Sequence, residues 1–101
     1  MITRTFSAYD LALVRRCFAE GQPDPDMLAG PDFLFDLATF NIARTCLQLA
    51  QPDRQSHFTD PAWDCLNACC LVGCDMLHGD YMLTDADYDT LHHAVSAHGF
   101  T

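Results

Sequence analysis

The residue types that could do chemistry gather in the second half of the chain. Cys65, Cys69, Cys70 and Cys74 fall within ten residues, and His78 follows them. On a helix, residues four apart stack on one face, so Cys70, Cys74 and His78 form a row. Such a row is one edge of a zinc site, with Cys17, Cys46, His92 and His93 as candidates for a ligand from another helix. Structural zinc sites usually show two close pairs, often Cys-x-x-Cys, and this chain has no Cys-x-x-Cys. Cysteine on an apolar helix also packs as a small hydrophobe, and that reading is preferred here. A disulfide between Cys65 and Cys69, or between Cys69 and Cys70, does not suit helical geometry. A metal or thiol-redox protein built on Cys70, Cys74 and His78 is therefore the alternative, and the preferred reading needs no cofactor.

A second pattern, Asp85-x-Asp87-x-Asp89, resembles the opening of a calcium loop. That loop wants Gly at its sixth position and Glu at its twelfth, where this chain has Thr90 and Ser96. Acids at the start of a helix are better explained by the positive end of its dipole. Cys–His nucleophile chemistry is disfavoured as well, because burial on an apolar helix raises a thiol's pKa. No Gly-rich phosphate loop, His-Glu-x-x-His or Gly-x-Ser-x-Gly is present, and the chain is not expected to be an enzyme.

The remaining chemistry is charge. The net charge is −9, from five arginines, no lysine, thirteen aspartates and one glutamate. All five arginines lie in residues 1–54, which hold seven acids; residues 55–101 hold seven aspartates and no Arg or Lys. Uncompensated charge of one sign repels itself, and a basic partner is the physical reason to keep it. Asp75, Asp80, Asp85, Asp87 and Asp89 surround one expected turn and are the candidate partner-binding residues. Direct binding of nucleic acid is excluded on charge, since phosphate contacts need Lys and Arg. The expectation is a non-enzymatic protein that occludes the basic, nucleic-acid-binding surface of another protein. A phage or mobile-element inhibitor of a host defence complex, of the anti-CRISPR kind, would be built this way.

These residues need elements to hold them. The pattern predicts an all-α fold, a compact bundle of four principal helices with mostly antiparallel neighbours and no strand. The first helix spans about Ser7 to Glu20, capped by Ser7, with Leu11, Val14 and Phe18 inward and Gly21 as its stop. The second follows Gly30-Pro31 and runs to about Gln51. It carries two apolar stripes: Phe33, Leu37, Phe40 and Leu47 on one side, and Leu34, Phe35, Ala38, Ile42, Cys46 and Leu49 on the other. Two such sides make it central, or part of a homodimer interface through Phe33, Leu37, Phe40 and Leu47. Asp60-Pro61 opens a third helix to about Leu77, stopped by Gly79. Thr84 caps the fourth, and Gly99 is placed to end it. At 101 residues the chain reads as one domain. It shows no apolar run of signal-peptide or membrane-span length, so a cytoplasmic protein is expected.

Overall fold

The computed structural model describes residues 1–24 and 35–96. Four helices carry most of it: α1 (Ala8–Glu20), α2 (Leu37–Leu49), α3 (Asp60–Gly79) and α4 (Asp85–Ala94). Two short strands, β1 (Ile2–Thr5) and β2 (Gln55–Phe58), pair antiparallel. The radius of gyration is 13.0 Å, as expected for a compact chain of about 100 residues.

The strand pair corrects the all-helical expectation. Ile2 sits opposite Phe58 and Arg4 opposite Ser56. Ile2, Ser56 and Phe58 are buried, while Thr3 and His57, also opposite each other, face out. The ribbon therefore alternates as a half-buried sheet must. Its inner face is closed by Trp63, whose ring meets Phe58 edge-on at 5.1 Å and lies under the Arg4 guanidinium at 5.2 Å. The entry to β2 is a tight turn in which the Arg54 N–H donates to the Gln51 carbonyl at 3.3 Å. Pro52 holds its second position and Asp53, with φ of 62°, its third, as a type II turn requires.

Each helix starts on a side-chain cap. Ser7, Asp36, Thr59 and Thr84 accept from the backbone N–H of Asp10, Thr39, Ala62 and Asp87 respectively. The cap of α3 is thus Thr59, one residue before the expected Asp60, and Pro61 falls at the second helical position. Helix α2 begins at Leu37; the expected start at Gly30-Pro31 lies outside the described residues. Helix α4 ends at Ala94, and the expected stop at Gly99 also lies outside them.

The core forms where α1 lies on α3. Val14, Cys17 and Phe18 meet Leu66, Cys69, Cys70 and Cys74, all buried. Two glycines allow this approach. A Cβ on Gly73 would stand 1.9 Å from the Cys17 carbonyl oxygen, and one on Gly21 would stand 1.8 Å from that of Cys69. Either contact is far inside van der Waals distance, so the two backbones touch at this crossing.

Helix α2 settles which of its apolar stripes faces in. Phe40 and Leu47, for which the sequence favours a place in the core and offers a homodimer interface as the alternative, are only 3% and 4% exposed. The Phe40 ring stacks on Phe18 at 5.7 Å, and both residues belong to the core of this subunit. Leu37 is half-exposed, and Phe33 lies outside the described residues. On the other stripe Ile42 and Leu49 face out, 46% and 74% exposed, while Phe35 and Cys46 pack partly buried against the core.

Candidate functional site

The five candidate acids lie on α3, the turn after it and the start of α4, but not at one point. Asp85 and Asp87 line an open cleft of about 530 Å³ with His78, Tyr81, Met82, Leu83 and Thr84. Asp80 is the C-terminal cap of α3, directly before Tyr81. Asp75 sits one turn back on α3, where its carboxylate accepts from the Tyr88 hydroxyl at 3.0 Å. Asp89 faces away and lines a second cleft with Arg4, Phe6, Asp10 and His93. The structure brings Asp85 and Asp87 together in one cleft, leaves Asp80 on the turn before it and Asp75 one turn back on α3, and separates Asp89.

The acids are held by neutral donors and one histidine. Asp87 accepts from the Tyr9 hydroxyl, which ties α1 to the first turn of α4. Asp85 meets His78 Nε2 at 2.7 Å. The His78, Tyr88 and His92 rings stack in a column, with successive centroids 4.6 and 4.4 Å apart. The hydrogen bond to Asp87 raises the pKa of Tyr9, and the bond to Asp75 raises that of Tyr88, since a phenolate beside a carboxylate is disfavoured. Asp80 and Asp89 make no side-chain bond among the described residues.

The arginines do not neutralise this charge. Among the described residues, none pairs with a carboxylate. Arg15 donates to the Leu47 and Ala50 carbonyls at 3.3 and 2.7 Å, closing the C-terminus of α2. Arg4 donates to the Ser96 carbonyl just past α4 at 2.6 Å, and Arg16 to that of Met82 past α3 at 3.1 Å. Three of the five positive charges thus answer carbonyls at or just past helix C-termini, where the last groups lack partners and the dipole is negative.

One residue in the cleft was not singled out by the sequence. Helix α3 ends in a Schellman motif: the Met82 N–H donates to the Leu77 carbonyl at 2.9 Å and the Tyr81 N–H to that of His78 at 3.1 Å. The motif puts its penultimate residue in the left-handed region, a place usually taken by Gly. Here it is Tyr81, with φ of 60° and 96% of its surface exposed. Gly79, expected to stop the helix, is its last residue and meets nothing that would crowd a Cβ. The signal was present in the spacing from Leu77 to Met82, two apolar residues at the positions a Schellman motif brings into contact.

The cysteines behave as core. Cys17, Cys65, Cys69, Cys70 and Cys74 are buried, and all six are free thiols. Burial pushes the Cys74 thiol up to about 12 and raises Cys17 and Cys70, while the bond to Cys69 and burial raise Cys65. Cys70 Sγ lies 3.5 Å from the Val14 carbonyl oxygen, to which it donates. The bond with Cys65 lowers Cys69; the raised thiols are held protonated and are poor nucleophiles and poor metal ligands. His78 is turned to Asp85 and Tyr88, away from a metal edge with Cys70 and Cys74. Among the described residues no group of three or more His, Cys, Asp or Glu is placed to hold a metal ion. The Asp85-x-Asp87-x-Asp89 pattern is the first turns of α4, not a loop. No helix among the described residues is long and apolar enough to cross a membrane.

Compared with known proteins, the chain matches no family model, no curated protein and no solved structure.

Proposed function

We propose that the face around the α3–α4 turn docks on a basic surface of another protein and occludes it. The observation that supports this reading is the pairing of acids that no arginine neutralises with exposed apolar side chains in one cleft. Asp85 and Asp87 in the cleft, and Asp80 on the turn before it, have no arginine partner among the described residues, and Tyr81 and Met82 stand exposed in the same cleft. An acidic rim steers a basic partner and sets register, and an aromatic side chain at the centre supplies contact energy. Such a basic surface is most often one that binds nucleic acid. Occlusion of a host defence complex, in the manner of an anti-CRISPR protein from a phage or mobile element, is the same proposal carried to one partner class. It rests on the acidic surface alone. The protein acts in the cytoplasm, without catalysis, on a scaffold read as a bundle of mostly antiparallel helices.

The test is capture followed by competition. The full chain is used to retain a partner from a lysate of its source organism, and the purified pair is then challenged with salt and with labelled nucleic acid. The partner should be released as salt rises, and nucleic acid and this protein should exclude each other from it. Reversing Asp80, Asp85 and Asp87 to Lys should abolish binding with helicity unchanged. Binding that survives both the reversal and high salt would sink the electrostatic reading.

A further inference from the structure

The α1–α3 crossing holds chemistry that packing alone does not use. Cys17 on α1 and Cys74 on α3 are both fully buried there, and the Cys74 thiol donates a hydrogen bond to the Cys17 sulfur. The backbones on either side are in contact. Gly73, the residue before Cys74, lies so close to Cys17 that a Cβ would stand 1.9 Å from the Cys17 carbonyl oxygen, and Gly21 closes on Cys69 one turn along. The other cysteines have no such arrangement among the described residues. Cys65, Cys69, Cys70 and Cys74 share one helix, where near neighbours do not suit a disulfide. Cys70 turns its thiol to the Val14 carbonyl. Cys17 and Cys74 bring two sulfurs together from two different helices.

We propose that Cys17 and Cys74 form a reversible disulfide that latches α1 to α3, with a low-molecular-weight disulfide as the oxidant. The Cys17 sulfur, which accepts the bond from Cys74, loses its proton and attacks one sulfur of the oxidant. The other sulfur leaves and takes up a proton as a free thiol. Cys74 then loses its proton and attacks the Cys17 sulfur of the mixed disulfide, releasing the second small thiol. Two protein thiols and one small disulfide thus give one protein disulfide and two small thiols. Burial sets the rate. Neither sulfur is reachable while α1 lies on α3, so exchange runs through local openings of the crossing. The reduced chain can open there, and the oxidised chain cannot. Disulfides in the cytosol are usually transient and redox-sensing, which is the character of a latch that small thiols can undo. The latch stands independently of the acidic cleft.

The test uses the reduced full chain and oxidised glutathione, in buffer and in urea below the unfolding midpoint. Free thiols are then blocked with an alkylating agent and the chain is mapped by peptide mass spectrometry. A Cys17–Cys74 link is expected, it should form faster in urea, and dithiothreitol should reverse it. It closes a loop of about 57 residues and should raise Tm by at least about 10 °C. Cys17→Ala and Cys74→Ala should each abolish both the link and the gain in Tm, and Cys70→Ala should keep them. The map of the native chain needs no variant, so a variant that fails to fold leaves the answer intact. No link between Cys17 and Cys74 in either condition overturns the inference. So does a dominant link to another cysteine, or a Cys17–Cys74 link that leaves Tm unchanged.

Discussion

Replacing Tyr81 by Gly should strengthen the fold and weaken its docking. A residue with a Cβ in the left-handed region costs about 1–2 kcal/mol relative to its usual conformations. Glycine carries no such cost, but it gains freedom in the unfolded chain worth about 0.5–1 kcal/mol against folding. The Tyr81 side chain returns nothing to the subunit, being 96% exposed and without a side-chain partner among the described residues. Tyr81→Gly should therefore stabilise by about 0.5–1 kcal/mol, raising Tm by roughly 5 °C for a domain of this size. Thermal and urea unfolding followed by circular dichroism measure this, with the urea slope unchanged. Binding to the captured partner should move the other way, by about thirtyfold if the ring anchors the contact with about 2 kcal/mol. Tyr81→Phe keeps the ring and should change neither quantity much. A Tyr81→Gly variant that melts lower than the parent would refute the reasoning, since it would show that the side chain holds the turn. One that melts higher and binds equally well would remove Tyr81 from the docking face.

Four further outcomes test the fold and its chemistry. Gly73→Ala should destabilise by about 2 kcal/mol net, since overpacking at the α1–α3 crossing costs up to about 3 and the helix propensity of Ala returns about 1; Gly79→Ala, in open space on the same helix, should stabilise by up to about 1 kcal/mol, and chemical denaturation of the pair decides it. Arg15→Met should cost about 1–2 kcal/mol by stranding the Leu47 and Ala50 carbonyls, read as a lower urea midpoint. The raised thiols bind their protons more tightly folded than unfolded, so stability should be full below the ordinary thiol pKa and fall as pH rises through the folded value of Cys74, about 12; Tyr9 and Tyr88 act with the same sign from about pH 10 upward, and Tyr88→Phe should flatten that part of a melting-versus-pH curve. Elemental analysis of the purified protein should find no stoichiometric zinc, and a chelator should leave Tm unchanged; a stoichiometric metal would return Cys70, Cys74 and His78 to consideration.

Local chemistry made the helices legible, and long-range contacts decided the rest. Ser7 and Thr84 are caps because a short hydroxyl side chain before an apolar period has one good use, which needs no tertiary information. The strand Ile2–Thr5 is too short for its period to show. It makes sense only opposite Gln55–Phe58, about fifty residues on, with Trp63 beneath the pair. Both stripes of α2 were visible, but spacing alone is silent about which one turns inward. The Phe18 ring stacked on Phe40, and Arg15 reaching the end of the helix, choose it. Nothing in its spacing marks Gly73 on an apolar helix, although a crossing close enough to touch backbones depends on it. Tyr81 was hidden by Gly79, a better residue for the left-handed position that stands two places too early.

The charge imbalance visible in the sequence is sharper in the structure, because of where the arginines go. A carboxylate pair would cancel charge on the surface; a guanidinium on helix-end carbonyls cancels only the partial charge of a dipole. Arg4, Arg15 and Arg16 are committed in the second way, so among the described residues no arginine cancels the acids near the α3–α4 turn. The cost is self-repulsion, which the folded protein meets by placing Tyr9, Tyr88 and His78 as donors to Asp87, Asp75 and Asp85. Those bonds give Asp87, Asp75 and Asp85 a donor each without an arginine pair. Contact through the acidic cleft should therefore weaken as ionic strength rises, because attraction is screened. Binding to the captured partner read across one salt titration checks this, and an affinity that held or rose would show that the charge geography does not govern the contact.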